Sequence, residues 1–145
     1  MRLRLVDYTL KLLRLSQVLR QWHGLLAALD GTQREKIARF AEQIAGTLGR
    51  AAEAFERIER DPAERPAKRV AVRELGRLSG YVENIVAALE GRMDGRRLHG
   101  IRRRLEGLAE EGLISGTVQR ADAARIDRLL ASEGYFRALA DSLRT

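Results

Sequence analysis

Cysteine is absent from this chain. Disulfides, thiolate metal sites and cysteine nucleophiles go with it. The absence agrees with a reducing compartment, and a cytoplasmic location is the expectation. Histidine occurs only as His23 and His99. Neither has a second His or a carboxylate at the helical spacing that metal ligation uses, so no metal is expected. The glycines are scattered, and no Gly-x-x-x-x-Gly-Lys loop cradles phosphate. Acidic pairs such as Glu110-Glu111 lack partner carboxylates for acid–base work. No cofactor, no small-molecule substrate and no catalysis are expected.

Aromatic residues are few. Tyr8, Trp22, Phe40, Phe55, Tyr81, Tyr135 and Phe136 read as packing residues and not as a platform for stacked bases. No apolar run approaches the length of about 18 residues that spans a membrane. The first residues do not form a signal peptide, because Asp7, Lys11, Arg14 and Arg20 break the apolar run. Lysine is scarce too: arginine outnumbers it 24 to 3. That bias is usual in chains from GC-rich genomes, although arginine also brings bidentate recognition of phosphate and carboxylate.

What remains is rich in Leu, Ala, Arg and Glu, the composition of a helical protein, and 145 residues suit one domain over 1–145. The first stretch, residues 1–28, organises it. Leu5, Tyr8, Leu12, Leu15, Leu19, Trp22 and Leu26 step by alternating threes and fours, a heptad seam. Leu3, Val6, Leu10 and Leu13 form a second row beside it. Two apolar rows predict a central helix or one that faces a second chain. A homo-oligomer, or a partner helix on this first helix, is the expectation.

Asp30-Gly31 reads as a turn, and Thr32 to Glu35 has capping-box form. The second helix, about 33–60, carries Ile37, Ala41, Ile44, Leu48, Ala51, Phe55 and Ile58 inward. Gly46 and Gly49 predict close approach of a neighbour. Glu53, Glu56 and Glu59 interleave with Arg57 and Arg60 as a solvated face. After Pro62 and Pro66 a third helix runs to about Glu90, with Ala71, Leu75, Leu78, Val82, Ile85 and Leu89 in line. Short connections predict antiparallel neighbours.

A shorter fourth helix, about 96–111, turns Leu98, Ile101, Leu105 and Leu108 inward, with Gly112 closing it. Leu113 to Gly116 reads as a loop. A last helical region spans about 117–143 with Val118, Ile126, Leu129 and Leu130 apolar, broken near Ser132-Glu133-Gly134 before Tyr135, Phe136, Leu139 and Leu143. The expected fold is all-α: an antiparallel bundle of three long helices, a shorter basic fourth and a C-terminal helical segment.

The fourth helix holds the strongest charge feature. Residues 91–105 contain six arginines and one acid, Asp94, against a whole-chain net charge of +7. Arg92, Arg96, Arg97, His99, Arg102, Arg103 and Arg104 are the candidate polyanion-binding set. The plain alternative is a solvated face paired with acids from neighbouring helices. If the ligand is nucleic acid, contact with the backbone and no base reading is expected. Arg92 to His99 is also similar to the Arg-spacer-His pattern of HEPN ribonucleases, one that an arginine-rich chain produces readily.

Two segments resemble the XpaC-like family, named for halogenated-indolyl phosphate hydrolysis. One holds Arg73-Glu74-Leu75, Leu78, Tyr81-Val82 and Ile85-Val86; the other holds Ala121-Asp122, Ile126-Asp127, Leu129-Leu130 and Glu133-Gly134. Together they span about residues 69–136. The resemblance implies a helical fold and a stress-related scaffold or adaptor, and it supplies no catalytic residues. Members commonly carry an N-terminal hydrophobic hairpin for membrane attachment, and no such hairpin is expected here. The expected function is a non-catalytic subunit that docks on a polyanion, foremost a nucleic-acid backbone. The alternative is a scaffold on an anionic membrane surface or an acidic protein.

Overall fold

A computed structural model describes residues 7–92, 95–105, 108 and 110–145. Leu3, Leu5 and Val6 of the apolar rows lie outside these residues, as do the side chains of Arg104 and Leu105. Seven helices and no strand occur among the described residues: α1 (Tyr8–Gln21), α2 (His23–Ala27), α3 (Gly31–Arg60), α4 (Arg65–Leu89), α5 (Gly95–Leu105), α6 (Glu111–Gln119) and α7 (Ala123–Leu143). The fold is an all-α helical bundle.

The helix starts follow from capping chemistry. Asp7, Asp30 and Asp122 are the N-caps of α1, α3 and α7, each accepting a backbone N–H with its carboxylate. Asp30, and not Thr32, caps α3: its carboxylate accepts from Gln33 N at 2.9 Å. An acid at this place also meets the positive end of the helix dipole, which draws the start back to Gly31. Pro66 lies in the first turn of α4, where no N–H is missed.

The first helix is not continuous. The backbone leaves helical geometry at Trp22, and α2 restarts at His23 for one short turn. Tyr8, Leu12, Leu15, Leu19 and Leu26 are buried as the heptad requires, while Trp22 is half-buried. Of the second row, Leu10 and Leu13 are half-buried.

The longest helix, α3, takes the central place expected of the first. It packs along both α4 and α7, and α1 packs chiefly on α7. The α3–α4 pair is antiparallel, since Asp30 meets Arg92 at one end and Arg57 meets Glu64 at the other. Arg144 meeting Glu35 sets α7 antiparallel to α3 as well. In contrast, α1 runs parallel to α7, because Asp7 pairs with Arg125 and Arg20 lies over the Tyr135 ring. The short turn of α2, which also touches α7, carries the chain across the bundle end. So α1 and α3 are not the adjacent pair that their short connection predicts.

Ile37, Ala41, Ile44, Leu48, Ala51, Phe55 and Ile58 of α3 are all buried, as are Ala71, Leu75, Leu78, Val82, Ile85 and Leu89 of α4. Gly49 does mark a close approach: a Cβ there would lie 2.7 Å from the Glu133 carboxylate of α7. Gly46 has only Arg50 of its own helix nearby.

The gap between α1 and α4 is filled by α5 and α6, which touch both. Two sequence expectations fail here. Residues 113–116 are helical, since α6 buries Ile114 and Val118 against its neighbours. Burial outweighs the weak propensity of Gly112, Ser115 and Gly116, and Gly112 therefore closes nothing. Likewise α7 runs unbroken through Ser132-Glu133-Gly134, because Leu129, Ser132 and Phe136 are buried in succession. Leu130, one of the apolar residues of this region, is 43% exposed.

Candidate functional site

The candidate surface begins where α4 ends. Gly91 adopts a positive φ of 76°, a conformation glycine reaches without strain, and the chain reverses there. It returns along α4 as α5, with Leu98 and Ile101 buried and Leu108 beyond them buried near Ser79. A helical period of 3.6 then forces the remaining positions outward. Arg96, Arg97, His99, Arg102 and Arg103 are all exposed, as is Arg92 before the helix. No acid stands in the first turn of α5.

Neighbouring acids take up part of this set. Arg92 pairs with Asp30 at the start of α3, at 3.4 Å, and Arg102 pairs with Glu90 at the end of α4. Among the described residues Arg97, His99 and Arg103 meet no acid. Arg96, His99 and Arg103 stand at i, i+3 and i+7 and share one line along the outer face. The solvated-face alternative thus describes Arg92 and Arg102, while Arg97 and Arg103 are exposed with no acid beside them among the described residues. The Arg92-to-His99 pattern passes through Met93 and Asp94, which lie outside the described residues, and His99 is exposed.

A second basic set escaped the sequence reading. Arg65, Arg69, Arg73 and Arg77 recur every fourth residue on α4 and are all exposed. Arg77 pairs with the buried Glu74 at 3.6 Å and donates to the Tyr81 hydroxyl at 3.0 Å, which raises the guanidinium pKa further. Arg65, Arg69 and Arg73 meet no acid among the described residues. The signal was present in the sequence as an i, i+4 repeat of one charge.

The buried polar groups are structural. Tyr8 donates its hydroxyl hydrogen to Leu75 O at 2.6 Å and lies 3.2 Å from Ser79 Oγ, linking α1 to α4. Burial pushes its pKa above the usual phenol range. Glu74 is held by Arg50 of α3 at 3.3 Å. No group of three or more His, Cys, Asp or Glu residues that could hold a metal occurs among the described residues. No helix among them is long and apolar enough to cross a membrane.

A pocket of about 240 Å³ is lined by Arg20, His23, Leu139 and Ser142, and another of about 370 Å³ by Glu56, Glu59, Arg60, Ala123, Ile126 and Asp127. In neither does a base face a nucleophile at hydrogen-bonding distance. No protein-family model, curated protein or solved structure matches the chain.

Proposed function

We propose that this chain is a non-catalytic helical-bundle protein that docks on a polyanion through the outer face of α5, foremost on a nucleic-acid backbone and without sequence specificity. The observation that carries this reading is that Arg97 and Arg103 are exposed and meet no acid among the described residues, on a helix whose apolar side is already consumed by the core. An arginine fork matches a phosphate's oxygens in two parallel hydrogen bonds, and a phosphate polymer repeats that target along its length. Half-buried or buried aromatics leave no ring free to read bases, so contact is to the backbone.

Binding of a labelled duplex and a labelled single strand across a salt series tests this. Affinity falls steeply with salt and similarly for unrelated sequences. Arg97→Gln with Arg103→Gln weakens it without lowering the melting temperature. No binding at low salt would end the nucleic-acid reading.

A second reading has its own observation. Arg92 and Arg102 already hold carboxylates of this chain, so the same face suits an acidic protein partner. Such a scaffold or adaptor role is also what the XpaC-like resemblance implies. Flotation with anionic vesicles and pull-down with an acidic peptide separate it from the first.

Copies of the chain, on this proposal, associate through α1. Leu10 and Leu13 of α1 are only half-buried, and Leu25 of the following α2 is 41% exposed, which supports an apolar contact there. Sedimentation of Leu13→Glu against the wild type tests it: the variant sediments as a smaller species.

A further inference from the structure

The outer face of α4 contains three features that cost a helix stability, and only Arg77 among them returns a contact within the described residues. The first is the arginine row. Arg65, Arg69, Arg73 and Arg77 place like charges at i, i+4 three times in succession, each repulsive by about 0.2–0.5 kcal/mol. Elsewhere this chain avoids that arrangement, since α3 interleaves Glu53, Glu56 and Glu59 with Arg57 and Arg60. The second is polarity. Past the N-cap Glu64, which Arg57 holds, the first turn of α4 contains no acid, and Arg65 stands at the positive end of the helix dipole. The third is glycine. Gly76 and Gly80 are exposed within the helix, and a Cβ at either would meet nothing within 4 Å, so neither serves packing.

We infer that this face is a second phosphate-docking row, and that the ligand is a nucleic-acid backbone laid along α4. The inference rests on the polyanion reading of α5 for the class of ligand, and on separate residues for the site. From Arg65 to Arg77 the row rises about 18 Å, which is about five phosphates of one strand. Arg65, Arg69 and Arg73 keep their donors open, while Arg77 is held by Glu74 and Tyr81 at the end of the row. The α5 helix packs on α4, so the two basic helices are neighbours in the bundle.

The surface chemistry selects among anions. A helix that lies on a membrane inserts an apolar face, and that of α4 is spent on the core. Val72, at 38% exposure, is the only large apolar side chain exposed on α4. A protein partner would need an aromatic or aliphatic anchor at the centre of its contact. This row offers guanidinium groups and bare backbone, which suit repeated phosphates.

The test compares Arg65→Gln/Arg69→Gln/Arg73→Gln with Arg97→Gln/Arg103→Gln and the wild type. A labelled mixed-sequence duplex is titrated with each across a salt series. The α4 variant is expected to lose at least tenfold in affinity at low salt. Its log–log salt slope should become shallower by about 2 to 3, at about 0.9 per phosphate contact. The corresponding Lys triple variant keeps most of the slope, and the Gln variant melts no lower than the wild type because repulsion is relieved. An unchanged slope in the α4 variant, with loss in the α5 variant, overturns this inference and leaves the α5 reading standing. Absence of wild-type binding overturns both. A clear drop in melting temperature, or preferential binding to anionic vesicles, also overturns the inference.

Discussion

Asp7 and Arg128, 121 positions apart in the chain, form an ion pair that ties the first turn of α1 to α7. The same carboxylate caps α1, accepting from Thr9 N at 2.9 Å and from the Thr9 hydroxyl at 2.6 Å, and it pairs with Arg125 at 3.7 Å. Its side chain is 12% exposed. One acid therefore sets both where α1 starts and where it lies.

Asp7→Ala should cost more than Asp30→Ala. Each loses a cap of about 1 kcal/mol. Asp7→Ala also takes from Arg128, whose side chain is 33% exposed, its partner carboxylate, whereas the Asp30 partner Arg92 is 47% exposed and regains water more fully. Chemical denaturation of both variants checks the order. Equal losses would show that the α1–α7 pairs contribute nothing.

Tyr8→Phe removes the hydroxyl that α1 gives to Leu75 O and should cost about 0.5–1.5 kcal/mol. The raised Tyr8 pKa also has a sign. The folded state holds this proton more tightly than the unfolded state, so the contribution is full below about pH 10 and declines as pH rises above it. Thermal melts at increasing alkaline pH should lose stability faster for the wild type than for Tyr8→Phe.

Leu48→Ala, at the centre of α3 and fully buried, should cost about 2–5 kcal/mol through lost burial and the cavity left behind. Arg103→Ala should leave stability within about 0.5 kcal/mol, since its side chain is exposed. Urea unfolding reads both. Comparable losses would make the basic face a buried pairing surface.

Arg144 clamps the end of α7 to α3, reaching Glu35 at 3.1 and 3.2 Å and Glu42 at 2.8 Å. The guanidinium hydrogen bonds lower the Glu35 pKa, so the clamp is full above the ordinary carboxylate range and is lost as pH falls through the lowered value. Arg144→Gln should lower the melting temperature slightly at neutral pH and low salt, and the difference should vanish in acid. A difference that persists in acid would assign the effect to packing.

The inward faces of α3, α4 and α5 were legible from the sequence because helical period is a local property. Ile37 through Ile58 and Ala71 through Leu89 are buried where their spacing puts them. The basic face of α5 was legible for the same reason, as the complement of Leu98 and Ile101. The α4 row was equally present at every fourth residue and needed only the same wheel.

Tertiary structure alone decided three things. It set α1 beside α7 and not α3, through pairs such as Asp7–Arg128 whose separation no local pattern encodes. It made residues 111–119 helical and carried α7 through Gly134, because burial of Ile114, Val118, Ser132 and Phe136 outweighs propensity. It also sorted the arginines, giving Arg92 and Arg102 to Asp30 and Glu90 and leaving Arg97 and Arg103 without an acid among the described residues. Which charges are neutralised depends on which helix ends meet, and that is fixed only once the bundle has closed.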